Sequence, residues 1–191
     1  MNTTIKTKKN NMTKDVLVII DVQNDFVTGS LGTKDAQEIL PKITELVEGW
    51  NKGDIYYTYD THDYNYLDTH EGKLLPVEHC IKGQDGWEYP EQLMQALTKF
   101  SSQTEHKLFP IEKRVFGSLS LPYTISKNSK PTSITICGLV TDICVISNAL
   151  LLRAAFPEIE ITVLSECCAG VTPEMHLKAL DVMRSCQINV I

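Results

Sequence analysis

The chain has 191 residues, 42% of them hydrophobic, which is enough for one ordinary domain with a real core. Its 24 acidic and 18 basic residues leave a formal charge of −6, and no basic stripe exists that could bind nucleic acid by displacing counterions. No apolar run approaches the ~20 residues needed to span a bilayer, and the N-terminus lacks the apolar core of a secretory signal, so the cytoplasm is the expected compartment.

Residues 1–14 form a polar arm containing Lys6, Lys8 and Lys9. With so little to bury, this arm is expected to be a disordered leader ahead of a domain at 15–191. Val16 to Ile20 is a continuous apolar run rich in β-branched residues, the mark of a strand covered on both faces. Ile39, Ile43, Leu46, Val47 and Trp50 then recur at helical spacing up to Gly53. A second strand is expected at 55–59. Residues 60–90 are polar and aperiodic, and a stretch that long inside a compact domain is usually functional or disordered. Pro90 opens a short helix to about Lys99.

The second half repeats the alternation. A strand is expected around 111–115, then a helical stretch, then a buried strand at 133–137 ended by Gly138. A helix follows at 142–155 and a strand at 159–164. Thr172, Pro173 and Glu174 supply an N-cap, a first-turn proline and an acid at the positive end of a helix running to about Cys186. A short strand at 188–191 closes the chain. This order predicts a single-domain doubly wound α/β/α sandwich with a mostly parallel sheet and right-handed crossovers.

Six cysteines stand at 80, 137, 144, 167, 168 and 186 without a CxxC pair. A disulfide scaffold is not expected in a cytosolic chain of this size, and most of the six read as small buried hydrophobes. The roles of Cys80, Cys167 and Cys168 stay open, the last two following the end of the strand at 159–164.

Ligands in open α/β sheets bind beyond the carboxyl ends of the strands. Three such ends carry reactive residues: Asp21, then Asp60 and His62, then Cys144 in the turn Gly138-Leu-Val-Thr-Asp-Ile-Cys144. A thiol in a first helical turn feels the positive end of the helix, which favours thiolate, and the free amides there can hold an oxyanion. The plainer alternative is a cysteine packed against the sheet. Asp21 follows five apolar residues, where a carboxylate must be paired or used, although it could also cap a loop through Gln23 or Asn24. Lys113 lies between Glu112 and Arg114 and alone would be a surface cation. Together the three make a possible acid, amine and thiol set, with lysine holding the thiolate and aspartate moving the proton. Asp60 and His62 share one face of an extended segment, and His70, Glu71 and His79 follow in the same loop, a donor mix that suits zinc, iron or manganese.

From Val16 to Ile191 the chain resembles the isochorismatase-like cysteine hydrolases, and within them the nicotinamidase and pyrazinamidase branch. Val18-Ile-Ile-Asp-Val-Gln-Asn-Asp-Phe26 resembles the family's opening strand with its catalytic aspartate. Glu112-Lys-Arg-Val-Phe-Gly-Ser118 resembles its lysine segment, with Phe116-Gly-Ser in place of aromatic-Ser-Ala. Gly138-Leu-Val-Thr-Asp-Ile-Cys-Val145 is similar to its nucleophile turn. The resemblance implies Asp21 as general base and acid, Lys113 as the cation beside the sulfur, and Cys144 as nucleophile. It further implies a cis peptide bond at Leu139–Val140 and an oxyanion hole from the Val140 and Cys144 amides. Phe26, Leu139 and Val140 would contact the substrate.

By the same resemblance, Asp60, His62, Glu71 and His79 would hold a divalent metal, zinc first, with iron or manganese as alternatives and His70 competing for the place of Glu71. The implied reaction is hydrolysis of a small amide, nicotinamide to nicotinate and ammonia, through a thioester. Its enzyme would be a cytoplasmic homo-oligomer with a small-molecule substrate and no nucleic-acid or membrane partner. The segment Leu74 to Cys80 is one residue longer than the family's form. That length motivates a rival substrate, another small amide, a carbamoyl compound or a ureide. A catalytically silent binding module is the rival of a different class.

Overall fold

The computed structural model describes residues 15–191, so the arm expected to be a disordered leader lies outside the described residues. Six strands form one sheet: β1 (Asp15–Ile20), β2 (Ile55–Asp60), β3 (Leu108–Lys113), β4 (Ser133–Leu139), β5 (Glu160–Ala169) and β6 (Asn189–Val190). Their order is β3-β2-β1-β4-β5-β6, and every pairing is parallel. The sheet is therefore wholly parallel rather than mostly so. The β-branched run of β1 explains its central place, since Val16 to Ile20 are completely buried and need cover on both faces.

Five helices of full length flank the sheet: α1 (Lys34–Gly49), α2 (Glu91–Gln103), α3 (Ser120–Asn128), α4 (Ile146–Ala155) and α5 (Pro173–Ser185). Helices α1 and α2 pack on each other, while α3, α4 and α5 form a second group of neighbours. Ala36, Ile39, Ile43 and Val47 make the buried stripe of α1, and Leu93, Ala96, Leu97 and Phe100 that of α2. The Thr33 and Thr172 hydroxyls accept from the third amide onward in α1 and α5, as N-caps do.

The order of strands reverses between β1 and β4, so their carboxyl ends part and leave a crevice. Gly138 marks the place. Its φ is +124°, and a Cβ there would stand 2.2 Å from the Ile20 carbonyl oxygen, so only glycine lets β4 pass β1 this closely.

Several boundaries differ from the expectation. The strand expected at 111–115 lies at Leu108–Lys113, because Pro110 is tolerated on an edge strand. Lys113 is thereby its last residue, at the rim. The helix expected from Asp142 begins as a wide π turn at Thr141–Val145 before α4. β5 runs to Ala169 through an irregularity opposite Cys137, so Cys167 and Cys168 lie within the strand instead of after it. Segment 60–90 is ordered around short helical pieces, including His70–Leu74, and helix α2 runs past Lys99 to Gln103.

Candidate active site

Asp21 leaves β1 with a positive φ of 48°, which turns its carboxylate into the crevice. The Thr58 hydroxyl of β2 donates to its Oδ1 at 2.6 Å. Lys113 and Asp60 are register partners at the ends of β3 and β2. The long lysine stem reaches past β2 and brings Nζ to 2.7 Å from Asp21 Oδ2 and 3.2 Å from Asp60 Oδ1. A carboxylate oxygen has two lone pairs, so Oδ2 keeps an acceptor position open beside the Lys113 contact. Nζ also donates to Cys144 Sγ at 3.5 Å. Acid, amine and sulfur thus meet at one rim of the sheet, from three distant parts of the sequence.

Burial dominates their proton affinities. It raises the Asp21 carboxyl to about 6, against the opposing pull of Lys113. It also pushes the Cys144 thiol well above its usual range, with the Asp21 charge adding to the rise and Lys113 resisting. Burial thus works against the helix end, which favours thiolate, and Lys113 is the neighbour that favours the charged sulfur. For Lys113 burial works against the charge, but the neighbouring Asp21, Cys144 and Asp60 more than restore it, so the ammonium persists.

The peptide bond between Leu139 and Val140 is cis, as the resemblance implied. The Val140 carbonyl accepts the amides of Ile143 and Val145, which skips the amide of Cys144 between them. The Asn148 side chain, on the first turns of α4, donates to the Cys144 carbonyl at 2.8 Å and accepts the Ser118 amide at 2.9 Å. It ties the turn bearing Cys144 to the segment after Lys113.

Cys144 lines a cavity of about 230 Å³ together with Phe26, Val140, Asp60, Glu71 and His79. Leu139 does not belong there. Its side chain is fully buried in the core, and its place as a substrate contact is withdrawn because strand alternation sends it away from the crevice. A second cavity of about 650 Å³ lies outside, and Leu75, Phe116, Ile143 and Glu71 stand between the two.

Opposite the sulfur, one donor atom each from Asp60, His62, Glu71 and His79 lies within 4.8 Å of the others. His62 Nε2 is 3.1 Å and His79 Nε2 3.5 Å from Asp60 Oδ2, and the two ring nitrogens are 3.8 and 3.7 Å from Glu71 Oε1. Bonds of about 2.0–2.1 Å set tetrahedral edges of roughly 3.3 Å, so these spacings fit a divalent ion after small adjustments. His79 Nδ1 faces the Val77 carbonyl at 2.9 Å, which orients the ring so that Nε2 points into the cluster. His70 is exposed and stands outside the cluster. Burial alone would raise the Asp60 carboxyl, but hydrogen bonds from His62 and His79 and the charge of Lys113 hold it far below the carboxylate range. The longer segment at 74–80 leaves this register intact.

Asp60 joins the two halves, Oδ1 facing Lys113 and Oδ2 facing the histidines. Gln23 fixes it: its side-chain oxygen accepts the Asp60 amide at 2.7 Å, and its nitrogen donates to the Asp60 carbonyl at 2.9 Å. Sequence reasoning gave no supporting role at this site to Gln23, Thr58 or Asn148. Each is a fully buried polar residue, and for Thr58 the signal was there in a hydroxyl amid the apolar run of β2.

The isochorismatase domain family matches residues 15–191. A curated nicotinamidase of Schizosaccharomyces pombe is 28% identical over 92% of this chain and 91% of its own length. The crystal structure of a nicotinamidase/pyrazinamidase from Bacillus subtilis superposes with a TM-score of 0.80 at 26% identity, covering 93% of this chain and 98% of that one. A pyrazinamidase of Pyrococcus horikoshii, solved in complex with zinc, shares the fold with a TM-score of 0.74 at 23% identity, covering 93% and 98%. With the family matched across every described residue and the acid, amine and thiol assembled at the switch point of the sheet, the chain belongs to the isochorismatase family.

Proposed function

We propose that the chain is a metal-assisted cysteine amidohydrolase that converts nicotinamide to nicotinate and ammonia. The observation that carries this reading is Lys113 Nζ, 2.7 Å from Asp21 and 3.5 Å from Cys144, whose sulfur-bearing residue lines a cavity together with Asp60, Glu71 and His79 of the donor cluster. At about 230 Å³ the inner cavity is smaller than the roughly 300–1,000 Å³ of common ligand clefts, which suits a single-ring amide. The nicotinamidase relatives support the same substrate.

In this reading the amide carbonyl sits over Cys144. As Sγ attacks the carbon, the thiol proton passes to the open oxygen of Asp21, and the Lys113 ammonium offsets the negative charge that sulfur gains in transit. The amides of Val140 and Cys144 hold the oxyanion. Collapse of the tetrahedral adduct breaks the C–N bond, and Asp21 returns the proton to the departing ammonia. Water then attacks the thioester, Asp21 takes its proton, and Cys144 leaves as the group that is reprotonated. Phe26, which lines the chamber beside His79, presents an aromatic face to the ring. A divalent ion bound by the cluster would supply Lewis acidity and fix the ring nitrogen, so that the carboxamide points at the sulfur. The two-nitrogen, two-oxygen donor set favours zinc, ahead of iron or manganese.

The same reading includes a cytoplasmic homo-oligomer with neither nucleic acid nor membrane as partner; light scattering on the purified chain checks the assembly. Among the described residues no helix is long and apolar enough to cross a membrane. The test of function is ammonia release from nicotinamide, pyrazinamide and N-carbamoyl amines by metal-loaded and chelated enzyme. Turnover of the ring amides, lost on chelation and in Cys144→Ala, is expected. Turnover that survives in Cys144→Ala, or that is confined to carbamoyl substrates, would overturn it.

A further inference from the structure

We infer that Asp25 is a positioning residue that aims the two histidines of the metal cluster. It stands in the opening motif four residues beyond Asp21, yet it touches none of the reacting groups described above. Its Oδ2 accepts the backbone amide of Cys80 at 2.7 Å. The Cys80 carbonyl in turn accepts the amide of His62 at 3.0 Å. The backbone of one residue, next in sequence to His79 and bonded to His62, is therefore held at its amide by a carboxylate oxygen. A charged acceptor makes this bond stronger than an ordinary amide contact.

Cys80 needs such an anchor. It is a fully buried, non-glycine residue held at a φ of +47°, a region that L side chains adopt only when their surroundings impose it. A second tie flanks His79 on its other side. The Ser30 hydroxyl donates to the Glu78 carbonyl at 3.0 Å, and the Ser30 amide donates to Asp25 Oδ1 at 3.2 Å. His79 is thus bracketed at both neighbours by one short segment organised around Asp25. Two glycines make room for the carboxylate: a Cβ would stand 2.3 Å from its Oδ1 at Gly29 and 2.1 Å from its Oδ2 at Gly86. Loss of this carboxylate frees the Cys80 backbone to turn about its φ and ψ and spreads the ring nitrogens that must converge on one ion. The inference rests on the cluster being a metal site.

The test is zinc affinity of the full-length chain, measured by competition with a chelating indicator, with the melting temperature of the metal-free protein followed in parallel. Asp25→Ala is expected to weaken zinc binding about 10- to 100-fold, the usual cost of removing an outer-shell partner. Asp25→Asn keeps an oxygen that can accept from Cys80, and its loss should be about three- to tenfold. A purely structural role would lower the metal-free melting temperature and leave affinity alone. Affinity of Asp25→Ala within threefold of wild type would overturn the inference, as would equal losses in the two variants. If Asp25→Ala fails to fold, Asp25→Asn decides alone, unchanged affinity counting against. A wild-type chain that takes up no zinc would sink both the cluster reading and this inference, whereas equal loading of wild type and Asp25→Ala would sink the inference alone.

Discussion

The two halves of the active centre are built in opposite ways. Asp21, Lys113 and Cys144 sit at the ends of β1, β3 and β4, and the sheet register sets their spacing. Of the four candidate ligands, only Asp60 belongs to a strand. His62, Glu71 and His79 follow in a long segment held by backbone bonds, a short helix and the Asp25 anchor. Strand ends give precision where a proton must move over a fraction of an ångström. A loop gives a ligand set that an ion itself can finish ordering. Asp60 is the one residue in both, and its burial between Lys113 and the histidines makes it the hinge of the arrangement.

The comparison can be broken at either half. Asp21→Asn removes the proposed proton carrier but none of the proposed ligands. It should lower kcat about 10²- to 10⁴-fold and leave zinc stoichiometry unchanged, as read by steady-state kinetics and metal analysis. A parallel loss of metal would show that the halves do not separate. The pH profile is the next largest effect. Burial raises the Asp21 carboxyl to about 6, and only its ionised form can accept the thiol proton. Lowering the pH through that value protonates it, so kcat/KM should fall about tenfold per unit below about 6. A flat profile down to pH 4.5 would contradict this assignment.

On the loop side, the Thr69 hydroxyl caps the short helix carrying Glu71 by accepting the Gly72 amide at 3.0 Å. Thr69→Ala should cost about 1 kcal/mol of local order, which is roughly fivefold in metal affinity, with kcat at saturating metal unchanged. The smallest effect belongs to Lys82→Ala. Its pair with Glu112 is half exposed on both sides, so thermal unfolding should register less than about 1 kcal/mol.

The strand-borne half was the more legible in sequence. An aspartate straight after five buried aliphatic residues, and a cysteine just past a glycine-ended strand, stand out because burial makes polar groups costly there. Lys113 did not stand out. Flanked by Glu112 and Arg114 it reads as surface, and only the edge position of β3, shifted three residues from its expected start by Pro110, turns its stem inward. From the residues the ligand loop was legible only as a donor mix, and the set of four came through the family resemblance, since no periodicity links Asp60 to His79 and the choice of Glu71 over His70 depends on which side of a five-residue helix faces the cluster. Leu139 entered as a substrate contact through the resemblance, and its full burial in the core takes it out of the cavity. Burial also raises the Cys144 thiol, an effect that position at a helix end does not reveal.

The central claim is that Cys144 becomes acylated during turnover. Enzyme quenched with acid while hydrolysing nicotinamide, then digested and weighed by mass spectrometry, should carry one nicotinoyl group on the peptide containing Cys144. Ammonia release with that peptide unmodified throughout the steady state, or with the acyl group on another residue, would contradict it.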